Sequence, residues 1–152
     1  MKGKLGFTLI ELLVVIAIVG VLAAVVLLAI NPARRLAQAR DTGRKSDVSQ
    51  LATAAQAFFT TSGRYPTTLA ELTVSQDIKQ LPSSSVVAGC SAYGQDVVTE
   101  YGLTYNATTS EAAVNVCLEA PTSTGYPPAG AWYFVWRSST GTATEASSAL
   151  GP

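Results

Sequence analysis

The sequence predicts an α+β fold in which one long N-terminal helix packs, through its C-terminal half, on a small antiparallel β-sheet. Three observations carry that expectation. Residues 7–30 form an apolar run holding a single charged residue, Glu11. Val48, Leu51, Ala52, Ala55, Phe58 and Phe59 then recur at helical spacing, so one face of the continuing helix has to be covered. Three later runs, 101–107, 113–118 and 132–137, have the alternation or the aromatic and β-branched content of short strands. A sheet laid across the helical stripe buries both apolar faces at once.

The N-terminus divides into a basic leader, residues 1–6 with Lys2 and Lys4, and the apolar segment 7–30. As a helix that segment is about 36 Å long, enough to cross a hydrocarbon core of roughly 30 Å. It is too long for a removable secretory signal, whose apolar stretch runs to about 7–15 residues. Its Val and Ile are poor helix formers in water, but in lipid the backbone must satisfy its own hydrogen bonds. Ala17, Gly20, Ala23 and Ala24 offer small surfaces, with small-xxx-small spacing from Gly20 to Ala24, which suits close helix packing.

Glu11 is the costly feature. An ionised carboxylate inside a membrane segment costs about 2.5–3.5 kcal/mol on insertion scales, and no Lys or Arg follows within the segment to offset it. Cleavage after Gly6 would create a positive α-amino group on Phe7. A neighbouring chain displaced along the membrane normal would bring that amine to Glu11. The stretch Gly6-Phe7-Thr8-Leu9-Ile10-Glu11-Leu12-Leu13-Val14-Val15 closely resembles the processing site and first helical turns of class III signal-peptide proteins, the type IV pilins and the type II secretion pseudopilins. The resemblance implies the pilin fold, cleavage between Gly6 and Phe7 by a prepilin peptidase, N-methylation of Phe7, and a role for Glu11 in assembling a helical filament.

Asn31-Pro32 interrupts the apolar pattern, and Pro32 is expected to kink or locally unwind the helix. Residues 31–62 continue it, with Gly43 as a weak point costing about 1 kcal/mol relative to alanine. Gly63 suits the C-terminal stop, and Tyr65-Pro66 prevents continuation. The stretch from Ala39-Arg40-Asp41 to Gly63-Arg64-Tyr65-Pro66 again resembles the pilin and pseudopilin pattern, above all at the helix exit. Residues 63–152 form the head. There Thr68-Leu69-Ala70-Glu71 reads as a capping box opening a short helix over 69–72. Residues 82–85 and Gly89 mark a loop, and Thr108-Thr109-Ser110-Glu111 suits a hairpin between the first two strands. Pro127, Pro128 and Gly130 precede the third strand, and the Ser/Thr/Gly/Ala-rich stretch from Ser138, apart from Glu145, is expected to fray.

Charged residues make up only 13% of the 152, against about 25% in ordinary soluble domains. The formal charge is zero but segregated. Arg34, Arg35, Arg40, Arg44 and Lys45 against Asp41 and Asp47 give residues 33–47 a net +3. From Tyr65 onward Lys79 and Arg137 face Glu71, Asp77, Asp96, Glu100, Glu111, Glu119 and Glu145, a net −5. Two readings are open: a basic neck that meets another chain's acidic head, or a solvated helix with i,i+4 pairs such as Asp41–Lys45. By the positive-inside rule alone the neck would be cytoplasmic. Two observations point the other way. The family resemblance puts the leader before a cytoplasm-facing peptidase, and Cys90 and Cys117 make sense as a pair in an oxidising compartment.

A Cys90–Cys117 disulfide would stabilise the head by roughly 3–4 kcal/mol in the chain-entropy model, the other reading being two buried free thiols. In type IV pilins a C-terminal disulfide encloses the so-called D-region. Here the run 132–137 lies beyond the second cysteine, so that part of the resemblance is incomplete. The chain has no histidine, which removes the commonest general base and zinc ligand. Lys45 and Lys79 sit in no dyad motif and there is no phosphate loop, so no enzyme, cofactor or metal site is expected. Asp96 and Glu100 lack further oxygen ligands for calcium. Asn106-Ala107-Thr108 matches a glycosylation acceptor and is read here as a chance match. Tyr126, Trp132, Tyr133 and Trp136 could stack on bases or sugars, but alternation puts about half of them in the core.

The reading with most support is a structural subunit of an extracellular type IV pilus, a homo-oligomeric helical filament. Its expected partners are the prepilin peptidase, the inner-membrane pilus assembly machinery and, before assembly, membrane lipids. The subunit would sit in the cytoplasmic membrane with its head outside, then in the filament. The alternative is a pseudopilin of a type II secretion system, and a third reading is a monomeric membrane-anchored binding module. Adhesion, motility, DNA uptake and secretion all use this scaffold, so no DNA or surface receptor is assigned.

Overall fold

The computed structural model describes residues 6–88, 90, 100–122 and 130–147. Lys2, Lys4, Gly89, Asp96, Tyr126, Pro127 and Pro128 lie outside the described residues. The chain divides into two units, Met1–Arg35 and Leu36–Pro152.

In the first unit, helix α1 (Leu9–Ile30) is 22 residues long and has no buried residue. It ends at Asn31, whose backbone turns left-handed at φ 46 and ψ 76. Asn is one of the few residues that tolerates that region. Pro32 opens helix α2 (Pro32–Ser62), where its fixed φ suits a first helical position. Asn31 also serves the new helix, since its Oδ1 accepts the Arg34 amide at 3.3 Å. Helical hydrogen bonding is thus interrupted at Asn31, the residue before the proline.

In the second unit α2 buries Ala37, Asp41, Arg44, Val48, Leu51, Ala52, Ala54, Ala55 and Phe58. The buried stripe therefore begins about three turns before the apolar pattern does. Phe59, expected within it, lies at its edge and stacks on Tyr65 with ring centroids 4.6 Å apart. Gly63 ends the helix at φ +70, a conformation that favours glycine, and its amide bonds the Phe59 carbonyl at 2.9 Å. Helix α3 (Leu69–Val74) follows, with Leu69 and Leu72 buried. Its expected capping box is displaced by one residue. Thr68 has N-cap backbone geometry but no side-chain cap bond, and Glu71 reaches back to the amide and hydroxyl of Thr67.

Strands β1 (Tyr101–Asn106), β2 (Glu111–Leu118), β3 (Trp132–Arg137) and β4 (Ala143–Ala146) form one antiparallel sheet in the order β1-β2-β3-β4. The hairpin turn occupies residues 107–110, and Glu111 belongs to β2, paired with Asn106. Residues 138–147 do not fray as expected, and residues 148–152 lie outside the described residues. The chain turns at Gly141, φ +67, and returns as β4 along β3, with Glu145 opposite Phe134. Val114, Val116, Leu103, Tyr101 and Trp136 face α2 and α3 in one core. Ala113, Cys117, Tyr133 and Val135 form a second core with Val87, Cys90 and Ala131. The sheet is thus covered on both faces, which explains why β2 is buried along nearly its whole length. Cys90 and Cys117 are joined in a disulfide that pins Cys90, whose amide bonds the Val87 carbonyl at 3.1 Å, to the second face.

Candidate functional site

Two polar clusters stand out among the described residues, one in each unit. In the first, Thr8 is the N-cap of α1 and its hydroxyl accepts the Glu11 amide at 3.3 Å. Glu11 answers with Oε2, which accepts the Thr8 amide at 2.9 Å and the Thr8 hydroxyl at 2.7 Å. This is a reciprocal capping box, and it satisfies donors that a helix start leaves orphaned. The carboxylate also lies in the first turn, where the helix dipole favours negative charge. Glu11 therefore has a partner within its own chain, a neutral one and not a cation. The Thr-x-x-Glu spacing at 8–11 was the available signal.

Phe7 is 88% exposed beside this box. Gly6 is exposed too, and a Cβ added there would meet nothing within 4 Å. Nothing in the fold demands glycine at that position. α1 itself is the one helix long and apolar enough to cross a membrane among the described residues.

The second cluster ties α2 to the end of β2. Asp41, 2% exposed, accepts the backbone amides of Glu119 at 3.0 Å and Ala120 at 2.7 Å. Arg44, 3% exposed, donates to Asp41 at 2.7 Å, Glu119 at 2.6 Å, the Ser84 hydroxyl at 2.7 Å and the Ser85 carbonyl at 3.0 Å. Arg40 pairs with the same Glu119 from the rim, its Nε 3.0 Å from both carboxylate oxygens. Arg40, helped by Arg44, holds the Glu119 carboxyl below its ordinary range despite burial. Further along, Lys45 reaches Glu145 on β4 at 2.5 Å and lies over the Phe134 ring.

These pairs revise the charge readings. Asp41 pairs with Arg44 at i,i+3 and not with Lys45, because Asp41 and Arg44 both fall on the buried stripe. The neck is not merely solvated either. Its Arg40, Arg44 and Lys45 meet the acidic head of their own chain. A further contact between α2 and the head is a hydrogen bond, in which the buried Tyr101 hydroxyl donates to Asp47 at 2.5 Å. Burial, and then that bond, push the tyrosine up from its ordinary value.

Residues 1–27 match the family model of the prokaryotic N-terminal methylation motif. No curated protein and no solved structure matches the chain. The matched segment contains Gly6, Phe7, Thr8 and Glu11 and extends through most of α1. With an apolar N-terminal helix followed by a small antiparallel sheet, the architecture is consistent with the pilin fold. The chain carries the class III signal peptide of the type IV pilins and pseudopilins.

Proposed function

We propose that the chain is the precursor of a structural subunit of an extracellular type IV pilus. A prepilin peptidase cuts between Gly6 and Phe7 and methylates the new amine. The subunit waits in the cytoplasmic membrane through α1, its head outside, until the inner-membrane machinery assembles it with other copies. Glu11 guides that assembly by exchanging its own Thr8 for the Phe7 amine of a neighbour. The observation that carries the reading is the methylation motif over residues 1–27, set on a helix none of whose residues is buried within its own chain. Such a helix invites either lipid or other helices as its cover. The motif points to a structural protein, and we assign no enzymatic activity.

The Cys90–Cys117 disulfide favours a pilus over a secretion pseudopilin. The pseudopilin remains the second reading, because β3 and β4 both follow Cys117 and so fall outside the disulfide loop. Purified extracellular filaments test the choice. Mass spectrometry should find this chain in them, beginning at a methylated Phe7. A mature chain beginning near Ala24, or one left uncut in cells with active peptidase, would overturn the processing. Correct processing without any presence in pili would favour the pseudopilin.

A further inference from the structure

We infer that Asn106 is a modification site, the acceptor of an N-linked glycan taken from a lipid-diphosphate-linked sugar donor. Asn106-Ala107-Thr108 satisfies the Asn-x-Ser/Thr triplet with a residue other than proline in the middle. The triplet alone is weak, and its place in the fold is what gives it weight. Asn106 is the last residue of β1, paired with Glu111, and residues 107–110 make the turn to β2. Ala107, Thr108, Thr109 and Ser110 are all exposed, so the tip of the hairpin sends no side chain into either core. Such exposed loop tips are where covalent change is best tolerated.

The side chain is also held in a suitable way. Asn106 Oδ1 accepts the amides of Thr108 at 2.9 Å and Thr109 at 3.4 Å. Both bonds fall on the carboxamide oxygen, and Nδ2 makes no hydrogen bond among the described residues. The Thr108 hydroxyl that completes the triplet sits in the same exposed turn. Neither of the other two asparagines begins such a triplet. Asn31 precedes a proline and caps α2, while Asn115 is buried within β2 and followed by Val-Cys.

In the transfer, Nδ2 forms a bond to the anomeric carbon of the sugar. The bond from that carbon to the diphosphate oxygen breaks, the lipid diphosphate leaves, and Nδ2 loses one proton. Nothing is oxidised or reduced. The inference rests on the reading that the head is exported.

The test uses the full chain purified from its own cells and digested so that Asn106 and Thr108 stay in one peptide. That peptide should carry a hexose- or hexosamine-containing mass. Asn106→Gln and Thr108→Ala should lose the added mass, and Thr108→Ser should keep it. The same non-reducing digest reports the Cys90–Cys117 bond. Disulfide-bonded chain with Asn106 unmodified throughout would overturn the inference and leave export standing. Free thiols together with unmodified Asn106 would overturn both, and a glycan that survives Thr108→Ala would overturn the acceptor assignment.

Discussion

Asp41 Oδ2 accepts the amide hydrogen of Ala120 at 2.7 Å, which fastens the N-terminal third of α2 to the chain just past the end of β2. The neighbouring amide of Glu119 goes to Oδ1 of the same carboxylate. Where β2 stops, two backbone donors thus find a side chain in place of a strand. Arg44 offsets the buried charge and carries the connection on to Ser84 and Ser85.

Removing one member of this arrangement is expected to cost more than replacing both charges. Asp41→Ala leaves two amides unpaired and the buried Arg44 with one of its two carboxylate partners, for a loss of about 3–5 kcal/mol. Asp41→Leu combined with Arg44→Met removes both charges and should cost clearly less. Urea unfolding of the detergent-solubilised protein, followed by Trp132 and Trp136 fluorescence, measures the difference. A double variant as unstable as Asp41→Ala would refute it.

Acid and alkali should each loosen the head through named groups. Arg40 and Arg44 lower the Glu119 carboxyl from 4.5, and the Thr67 hydroxyl, with Arg64, lowers Glu71 from the same value. Between the lowered and ordinary values the unfolded chain binds more protons, so this stability is present above 4.5 and lost as the pH falls through the folded values. Tyr101 works with the opposite sign. Its value is raised from 10.0, so its contribution is complete below that pH and is lost as the pH climbs through the folded value. Melting temperatures recorded from neutral pH down to about 3 and up to about 11 should show both limbs. Glu119→Gln should flatten the acid limb and Tyr101→Phe the alkaline one, and unchanged limbs would remove these assignments.

Gly43 is a place where the chain can be improved. It lies inside α2, and a Cβ there meets nothing within 4 Å. Gly43→Ala should stabilise the protein by about 1 kcal/mol, through helix propensity alone. A destabilised variant in the same urea experiment would contradict the open space seen beside that position.

For Glu11 the prediction concerns assembly. Glu11→Ala removes a charge from the membrane segment, so insertion should hold or improve while filaments fall sharply. Glu11→Asp should be intermediate. Thr8→Val deletes only the hydroxyl, leaves the Thr8 amide, and should spare filaments if a neighbour's amine is the final partner. Normal filament counts from Glu11→Ala, at ordinary protein levels, would overturn the role given to Glu11.

Much of this architecture was readable before any coordinates. The apolar run, the stripe from Val48 to Phe58, the stop at Gly63 and three strands all follow from periodicity and backbone chemistry. What stayed hidden was polar. Asp41 and Arg44 occupy core positions of the α2 stripe, but charge makes them look solvated until Glu119 and Ala120 are seen to satisfy them. The β4 strand escaped for a related reason. Its Ala-Thr-Glu-Ala composition carries little strand propensity, and the contacts that place it, through β3 and Lys45, are remote in sequence. At the N-terminus the Thr8–Glu11 box was plain in the spacing but was subsumed in the family motif.

The strand order has a consequence for how the head comes into being. Every strand pairs with its immediate successor, so the sheet can grow hairpin by hairpin with modest loop closures. The fastenings between α2 and the sheet span far greater separations, 79 residues from Asp41 to Ala120 and 100 from Lys45 to Glu145. Their closure entropy is the larger, which places helix docking late. A chain emerging N-terminus first would have α2 synthesised long before the surface it docks on exists, and that helix would wait, with its stripe uncovered, for the final strand.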